Sequence, residues 1–404
     1  MKQRYRWLLL TIGLIILMSL SLLVTLAQDT TAASVFATNT PMLAESAGLP
    51  LAANVTPAPS DNAQTAPSTP IQVFEPEACR YVAGQATTAA CRTIIEANPE
   101  PNVTDIQLDS ATLDQYSFWR VGPQAVTTYD APNGNAVGQI PAGFNFVNIV
   151  SQADGWLQSE DGTWLNIETS SAYFVSPSLF TGVRLPQGWN QPFGWILDTT
   201  GIYASTYPGG PSTSESGLVP LRYERYNIFA EAEDNEGWTW YMVGPDQWVK
   251  QVFMTVIKPI ARPDGARGRW VAVDLFEQSL VAYEDDMPVF ATLMSSGLPR
   301  FTTDEGLFEV WARLERDGMT GATGAPEAYA LQSVPWVQYF DGSNALHGTY
   351  WHDLFGYRRS RGCVNLSISD AGWVFKWMAQ ADANENGEIS NYVYVHSSGE
   401  YRRG

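Results

Sequence analysis

Apolar positions follow three textures along the chain. An uncharged apolar run extends from Trp7 to Ala27 behind the basic start Met1-Lys2-Gln3-Arg4-Tyr5-Arg6. Residues 28–73 have no periodicity and are rich in Ala, Thr, Pro and Ser, as in Thr56-Pro57-Ala58-Pro59-Ser60. Beyond them, apolar and polar residues alternate in short segments separated by turn residues, the signature of half-buried strands. The pattern predicts a mainly β protein.

The first texture is long for the apolar core of a signal peptide and about long enough to cross a bilayer as a helix. Thr25 and Ala27 are candidate cleavage-site residues, so residues 1–27 read as a signal peptide or a membrane anchor. Either exports the remainder of the chain, and basic residues ahead of the run put the bulk outside. No Cys comes directly after the run, which excludes a lipoprotein anchor. Residues 28–73 cannot bury a core and read as a disordered stalk. The expected location is extracytoplasmic, at the cell wall or cell surface, with membrane contact only through the N-terminal segment.

Between 117–178 and 190–258 two stretches echo each other. Gly155-Trp156-Leu157 with Trp164-Leu165 corresponds to Gly237-Trp238-Thr239 with Trp248-Val249. Turn signals such as Asp130-Ala131-Pro132-Asn133-Gly134 and Tyr207-Pro208-Gly209-Gly210 divide the segments, which suggests small β-barrels. The pattern resembles bacterial SH3-like domains, whose resemblance implies cell-wall peptide binding; plain core is the other role open to the Trp residues. Residues 74–116 form a separate segment holding Cys79 and Cys91.

From Gly268 the strands lengthen. Trp270–Leu275 and Ser279–Tyr283 read as a hairpin, residues 288–294 and 306–313 as further strands, and residues 391–395 as a last one. One helix starts after the cap Ser367, with Asp370 three positions on and Ala371, Val374, Phe375 and Met378 at helical spacing.

Charge and cysteines narrow the chemistry. A net charge of −19 argues against nucleic acid and anionic lipid as partners. Three cysteines in an exported chain leave one unpaired. Cys79 and Cys91 are close enough in sequence for a local disulfide, which leaves Cys363 as the odd thiol. An idle thiol is a liability in an oxidising compartment, so a working one is expected. Cys363 lies in Ser360-Arg361-Gly362-Cys363-Val364-Asn365, sixteen positions after His347 in Leu346-His347-Gly348-Thr349. A base, a nucleophile and backbone donors at a Gly-containing turn are the parts of an acyl-transfer site. The helix start and Arg361 are both expected to favour the thiolate. His352 is a second candidate base, whereas His396 reads as structural. Trp336, Tyr339 and Phe340 read either as a groove wall or as core. Asp382-Ala383-Asn384-Glu385-Asn386-Gly387 imitates a calcium loop, but Val393 stands where a bidentate Glu is needed, so it reads as a polar turn. No metal or cofactor is expected.

These residues are similar to the signature of the L,D-transpeptidase (YkuD-type) catalytic domain family, over residues 268–397. Thr302-Thr303-Asp304-Glu305-Gly306 adds a likeness to the family's Thr-Pro-x-Gly strand start. The resemblance implies a β-sandwich-like domain with one helix after the catalytic Cys. It makes Cys363 the nucleophile, His347 the base, the Gly348 carbonyl its orienting group, and the N–H groups of Gly362 and Cys363 the oxyanion hole. The family usually has His where this chain has Arg361, and a guanidinium cannot act as a base. Arg361 could instead hold a substrate carboxylate, with Ser360, Asn365, Trp336 and Tyr339 as further substrate contacts.

Implied partners are peptidoglycan stem peptides and, as a covalent inhibitor, a carbapenem β-lactam. The implied reaction is 3-3 cross-linking through a Cys thioester, or L,D-carboxypeptidase activity if water resolves it. A catalytically decayed wall-binding scaffold is the rival reading. A sortase-like site needs a catalytic Arg well after the Cys on a strand; only Arg402 and Arg403 come later, at the chain's end.

Overall fold

The computed structural model describes residues 74–197, 203–322, 324–325, 327–381 and 390–401. The apolar N-terminal run, the Ala/Thr/Pro/Ser stretch and the loop beginning at Asp382 lie outside these residues. Among the described residues no helix is long and apolar enough to cross a membrane.

Cys79 and Cys91 form a disulfide. The helix Ala89–Ala97 that carries Cys91 starts at Thr88, whose Oγ1 accepts the Cys91 N–H at 3.1 Å. The disulfide packs among Phe229, Trp240, Met242 and Trp248, so this segment shares the core of the second β unit. Strand β1 (Thr104–Asp105) leads out of it.

The first β unit contains β2 (Phe118–Arg120), β3 (Val126–Tyr129), β4 (Ala136–Ile140), β5 (Phe144–Ala153), β6 (Trp156–Ser159), β7 (Trp164–Asn166) and β8 (Tyr173–Phe174). Alternation turns Val126, Val147, Ile149, Leu157 and Leu165 into one small core. After β9 (Val183–Arg184) comes the second unit, with β10 (Phe193–Ile196), β11 (Arg225–Asn227), β12 (Ala230–Glu233), β13 (Thr239–Gly244), β14 (Gln247–Lys250) and β15 (Met254–Ile257). Its strands form two three-stranded sheets. Trp156, Trp240 and Trp248 are buried, whereas Trp164 and Trp238 are half-buried. Buried Glu277 ties this unit to the C-terminal block. It accepts from the Tyr241 hydroxyl at 2.8 Å and the Val256 N–H at 3.0 Å.

That block contains β16 (Arg269–Asp274), β17 (Ser279–Glu284), β18 (Met287–Leu293), β19 (Gly306–Glu309), β20 (Ala312–Gly321), β21 (Tyr329–Asp341), β22 (Asn344–Gly348), β23 (Val364–Leu366) and β24 (Tyr392–His396). One sheet runs β1-β9-β18-β17-β16-β24-β19, and the other contains β23-β22-β21 with β20 on its flank. The single strand expected at 306–313 is two strands in different sheets. At the crossing, Val310 N–H bonds Asn391 O and Trp311 N–H bonds Tyr339 O, both at 2.9 Å.

Between the sheets lies a core of Val271, Val273, Leu280, Leu346, Val364 and Leu366. The helix Ile368–Met378 adds Ala371, Val374 and Met378 to it. Ser367 caps that helix by accepting the Asp370 N–H at 3.1 Å, a contact generally worth ~1 kcal/mol. The Asp370 carboxylate does not complete a reciprocal capping box. It accepts instead from Gly182 N–H and Thr292 Oγ1, each at 2.6 Å. Burial pushes its pKa up to about 7, while these bonds pull it down.

Candidate active site

The sheet geometry gathers the predicted residues. Strands β22 and β23 are parallel, with His347 opposite Asn365. Cys363 precedes Asn365 by two positions, so strand alternation directs all three side chains to one face. The opposite face sends Leu346, Val364 and Leu366 into the core. His347, Cys363, Asn365, His352, Ser360 and Arg361 line one cavity of about 360 Å³, within the usual range for a small-molecule site.

His347 is buried, and its Nδ1 lies 3.1 Å from the Gly348 carbonyl oxygen. Burial lowers its pKa to about 4, against the raising effect of that carbonyl. Cys363 keeps partial solvent access, but its thiol is densely surrounded by protein. Burial pushes the thiol up to about 11, and the Ala345 N–H pulls it down. Burial therefore opposes the thiolate that the helix start and Arg361 are expected to favour. Strand β23 separates Cys363 from the helix, and burial is the largest influence on the thiol. Neutral thiol and neutral imidazole are the resting forms at neutral pH. The sulfur lies 3.9 Å from Ser343 O, and among the described residues His347 is not one of its hydrogen-bond partners.

The turn before the nucleophile is held by its own hydroxyl. Ser360 Oγ donates to the Cys363 carbonyl and accepts the Gly362 N–H at 3.2 Å. Ser360 is thus a turn staple as well as part of the cavity wall. The Gly362 N–H assigned to an oxyanion hole is already engaged, so that role requires it to exchange Ser360 for the oxyanion. Gly362 has φ +118°, and a Cβ there would lie 2.3 Å from Asn344 Oδ1, which restricts the position to glycine. Its carbonyl accepts from Thr303 Oγ1 at 2.8 Å.

His352 is fixed differently from His347. Its Nδ1 faces the Leu354 N–H at 3.3 Å and its Nε2 faces Asn365 Nδ2 at 3.1 Å, so both ring nitrogens meet N–H donors and the ring has no acceptor to orient its proton. Burial first, then Arg359 and His347, lowers its pKa to about 3. The Arg361 guanidinium lies 4.7 Å from the centre of the Tyr329 ring and 5.9 Å from that of Phe301. Among the described residues it has no salt-bridge partner.

Trp336 and Tyr339 do not line the cavity, although the Cys363 charge acts on the Tyr339 hydroxyl. Trp336 packs against Phe375 (5.2 Å) and under Lys376 (4.4 Å), on the helix side of β21. Its φ of +60° breaks the strand's regular alternation. Tyr339 stacks on exposed Trp311 and donates its hydroxyl to Asp317 at 2.8 Å. Phe340 is core. His396 stacks on Tyr394 at 5.2 Å, and burial lowers its pKa. Phe144, Met319, Leu331 and Arg359 line the cavity and were not foreseen. Among the described residues no cluster of His, Cys, Asp and Glu is arranged to hold a metal ion.

A neutral Cys facing the same cavity as a His of fixed tautomer is the layout of a cysteine acyltransferase that uses a general base. Residues 268–396 match the family model of the YkuD L,D-transpeptidase catalytic domain, and form such a domain. Similar solved structures include an L,D-transpeptidase (Yku) from Stackebrandtia nassauensis, at 23 % identity and TM-score 0.26, covering 34 % of this chain and 59 % of that one. The catalytic domain of the E. faecium L,D-transpeptidase is 24 % identical at TM-score 0.28, covering 33 % and 99 %. L,D-transpeptidase 3 from Mycobacterium tuberculosis, solved with a faropenem-derived adduct, is 17 % identical at TM-score 0.28, covering 44 % and 75 %. No curated protein matches the chain.

Proposed function

We propose that this chain is an exported peptidoglycan L,D-transpeptidase that forms 3-3 cross-links between stem peptides. The observation that carries the reading is the common face of β22 and β23, which turns His347 and Cys363 into one cavity. Cys363 Sγ attacks the carbonyl carbon between the third stem residue and its terminal D-Ala. His347 Nε2 takes the thiol proton and returns it to the D-Ala nitrogen as the C–N bond breaks, leaving a thioester. An amine of a neighbouring stem then attacks, giving a proton to His347 and restoring the thiol. Water in its place gives L,D-carboxypeptidase activity. Arg361, at the cavity rim without a salt-bridge partner among the described residues, holds a stem carboxylate. Residues 1–27 export or anchor the chain, residues 28–73 act as a stalk, and the two β units read as SH3-like modules that hold the enzyme on the wall.

A decayed scaffold is the second reading, favoured by a thiol pushed up to about 11 that lacks a hydrogen bond to His347. Intact-mass spectrometry after incubation with a carbapenem separates the two. The expected result is one covalent adduct on the wild type and none on Cys363→Ala. An unmodified wild type would sink the enzyme reading.

A further inference from the structure

Residues 268–396 do not close the cavity beside Cys363 on their own. Phe144, at the start of β5 in the first β unit, lines it together with Met319, Tyr329 and Leu331 of the β20–β21 hairpin. On β21, strand β22 pairs only within 338–341. The distal part pairs with β5 in parallel register: Tyr329 with Phe144, Ala330 with Asn145, Leu331 with Phe146. The Phe144 N–H also bonds Ala328 O at 2.8 Å.

Side chains reinforce this join. Gln332 Oε1 accepts the Asn148 N–H and the Ser159 hydroxyl, both at 2.9 Å. Glu160 of the first unit accepts from Ser333 Oγ and faces Arg316 at 3.7 Å. The same unit reaches the histidine segment. Phe118 stacks on Tyr350 with ring centres 3.7 Å apart, and the Tyr350 hydroxyl donates to Gln332 O at 2.7 Å. Arg120 packs over the Phe144 ring at 5.0 Å and steadies it from within the unit.

We propose that the first β unit is a specificity element of the acyl-transfer site, with Phe144 as the residue that selects the acyl donor. Phe144, Met319 and Leu331 supply apolar lining, while Arg359 and Arg361 supply cationic lining, Arg361 against the Tyr329 ring. Such a cavity takes a peptide acyl donor in which an aliphatic stretch lies beside a carboxylate. The β5–β21 ladder holds the apolar wall at a set distance from Cys363. This inference rests on the acyl-transfer reading of Cys363.

The test uses the full chain and the variants Phe144→Ala, Phe144→Leu and Gly143→Ala. A Cβ at Gly143 would lie 2.5 Å from Ala328 O, so Gly143→Ala pushes the ladder apart. Three rates are read by mass: Cys363 acylation by a tetrapeptide stem, its acylation by a carbapenem, and its alkylation by iodoacetamide, which needs no wall. Melting temperature is measured in parallel. For Phe144→Ala, kcat/KM for the tetrapeptide should fall roughly ten- to hundredfold, mainly through KM, the range expected for lost burial of one large apolar side chain. Phe144→Leu should recover most of it, with alkylation within about twofold of wild type. Gly143→Ala should lose tetrapeptide acylation while still folding cooperatively; if it does not fold, Phe144→Ala decides alone. An unchanged kcat/KM in Phe144→Ala overturns the proposal, as does an equal fall in alkylation with a lowered melting temperature. A wild type that alkylates but accepts neither acyl donor overturns the acyl-transfer reading itself, and this inference with it.

Discussion

His347 and Gly348 settle a protonation question through one contact. A carbonyl oxygen only accepts, so the ring nitrogen 3.1 Å away, Nδ1, must carry the imidazole proton. Nε2 is then the nitrogen with a free lone pair, the form a general base requires. His352 has no such orienting acceptor: its two ring nitrogens face N–H donors, Leu354 N and Asn365 Nδ2.

This difference predicts unequal losses. His347→Ala should lower turnover by about 10²–10⁴-fold, the usual worth of general acid–base assistance. His352→Ala removes a ring whose partners are Leu354 and Asn365, and should cost far less. Steady-state kinetics on a tetrapeptide stem compare the two, and an equal or larger loss at His352 would reassign the base.

The resting protonation states predict two different pH profiles. His347 is held at about 4 and Cys363 at about 11, so both are neutral between those values. Acylation assisted by His347 should stay level from about pH 5 to 8 and fall as the ring protonates toward pH 4. Alkylation by iodoacetamide has no such assistance and should rise about tenfold per pH unit toward 11. An alkylation rate independent of pH from 5 to 8 would mean a thiolate–imidazolium pair and contradict this account.

Arg361 should act on binding, since its charge is permanent and it cannot relay a proton. Arg361→Gln should raise KM for a carboxylated stem, by an amount set by a charged hydrogen bond of roughly 1.5–3 kcal/mol. Arg361→His should retain activity. Kinetics on carboxylated and amidated stems test the clamp, which fails if Arg361→Gln discriminates between them as wild type does.

Asp370 predicts a stability slope. Its folded pKa, about 7, lies above the ~3.9 of an unfolded Asp. Between these values the folded chain holds a proton that the unfolded chain has lost. Stability from this group is therefore fully present below about pH 4 and declines up to about pH 7, on the order of 1 kcal/mol per pH unit. Calorimetry should show this component in wild type and its loss in Asp370→Asn. Identical pH dependence in the two proteins would remove Asp370 as its source.

The parts of this molecule that were legible in sequence are those whose signals are local. His347, Cys363 and the Ser367 cap announce themselves within a few residues, and the Trp270–Tyr283 hairpin by simple alternation. Trp336 stayed open between groove wall and core in sequence, because a positive φ inside β21 breaks the alternation that would have decided it. The burial that raises the thiol was not legible, because motif chemistry carries no record of desolvation. Phe144 was invisible because its partner Tyr329 lies far along the chain, and no single segment encodes a pairing of that range.

The ladder between β5 and β21 also limits how this protein can be cut or recombined. A fragment begun at residue 268 would present the Tyr329–Leu331 backbone as a raw strand edge, a template for pairing with another copy. The first β unit occupies that edge, so it works as a built-in edge guard as well as a neighbour. Exchange of the C-terminal block between proteins would have to carry β5 along, and the heritable module is larger than the span its motifs mark.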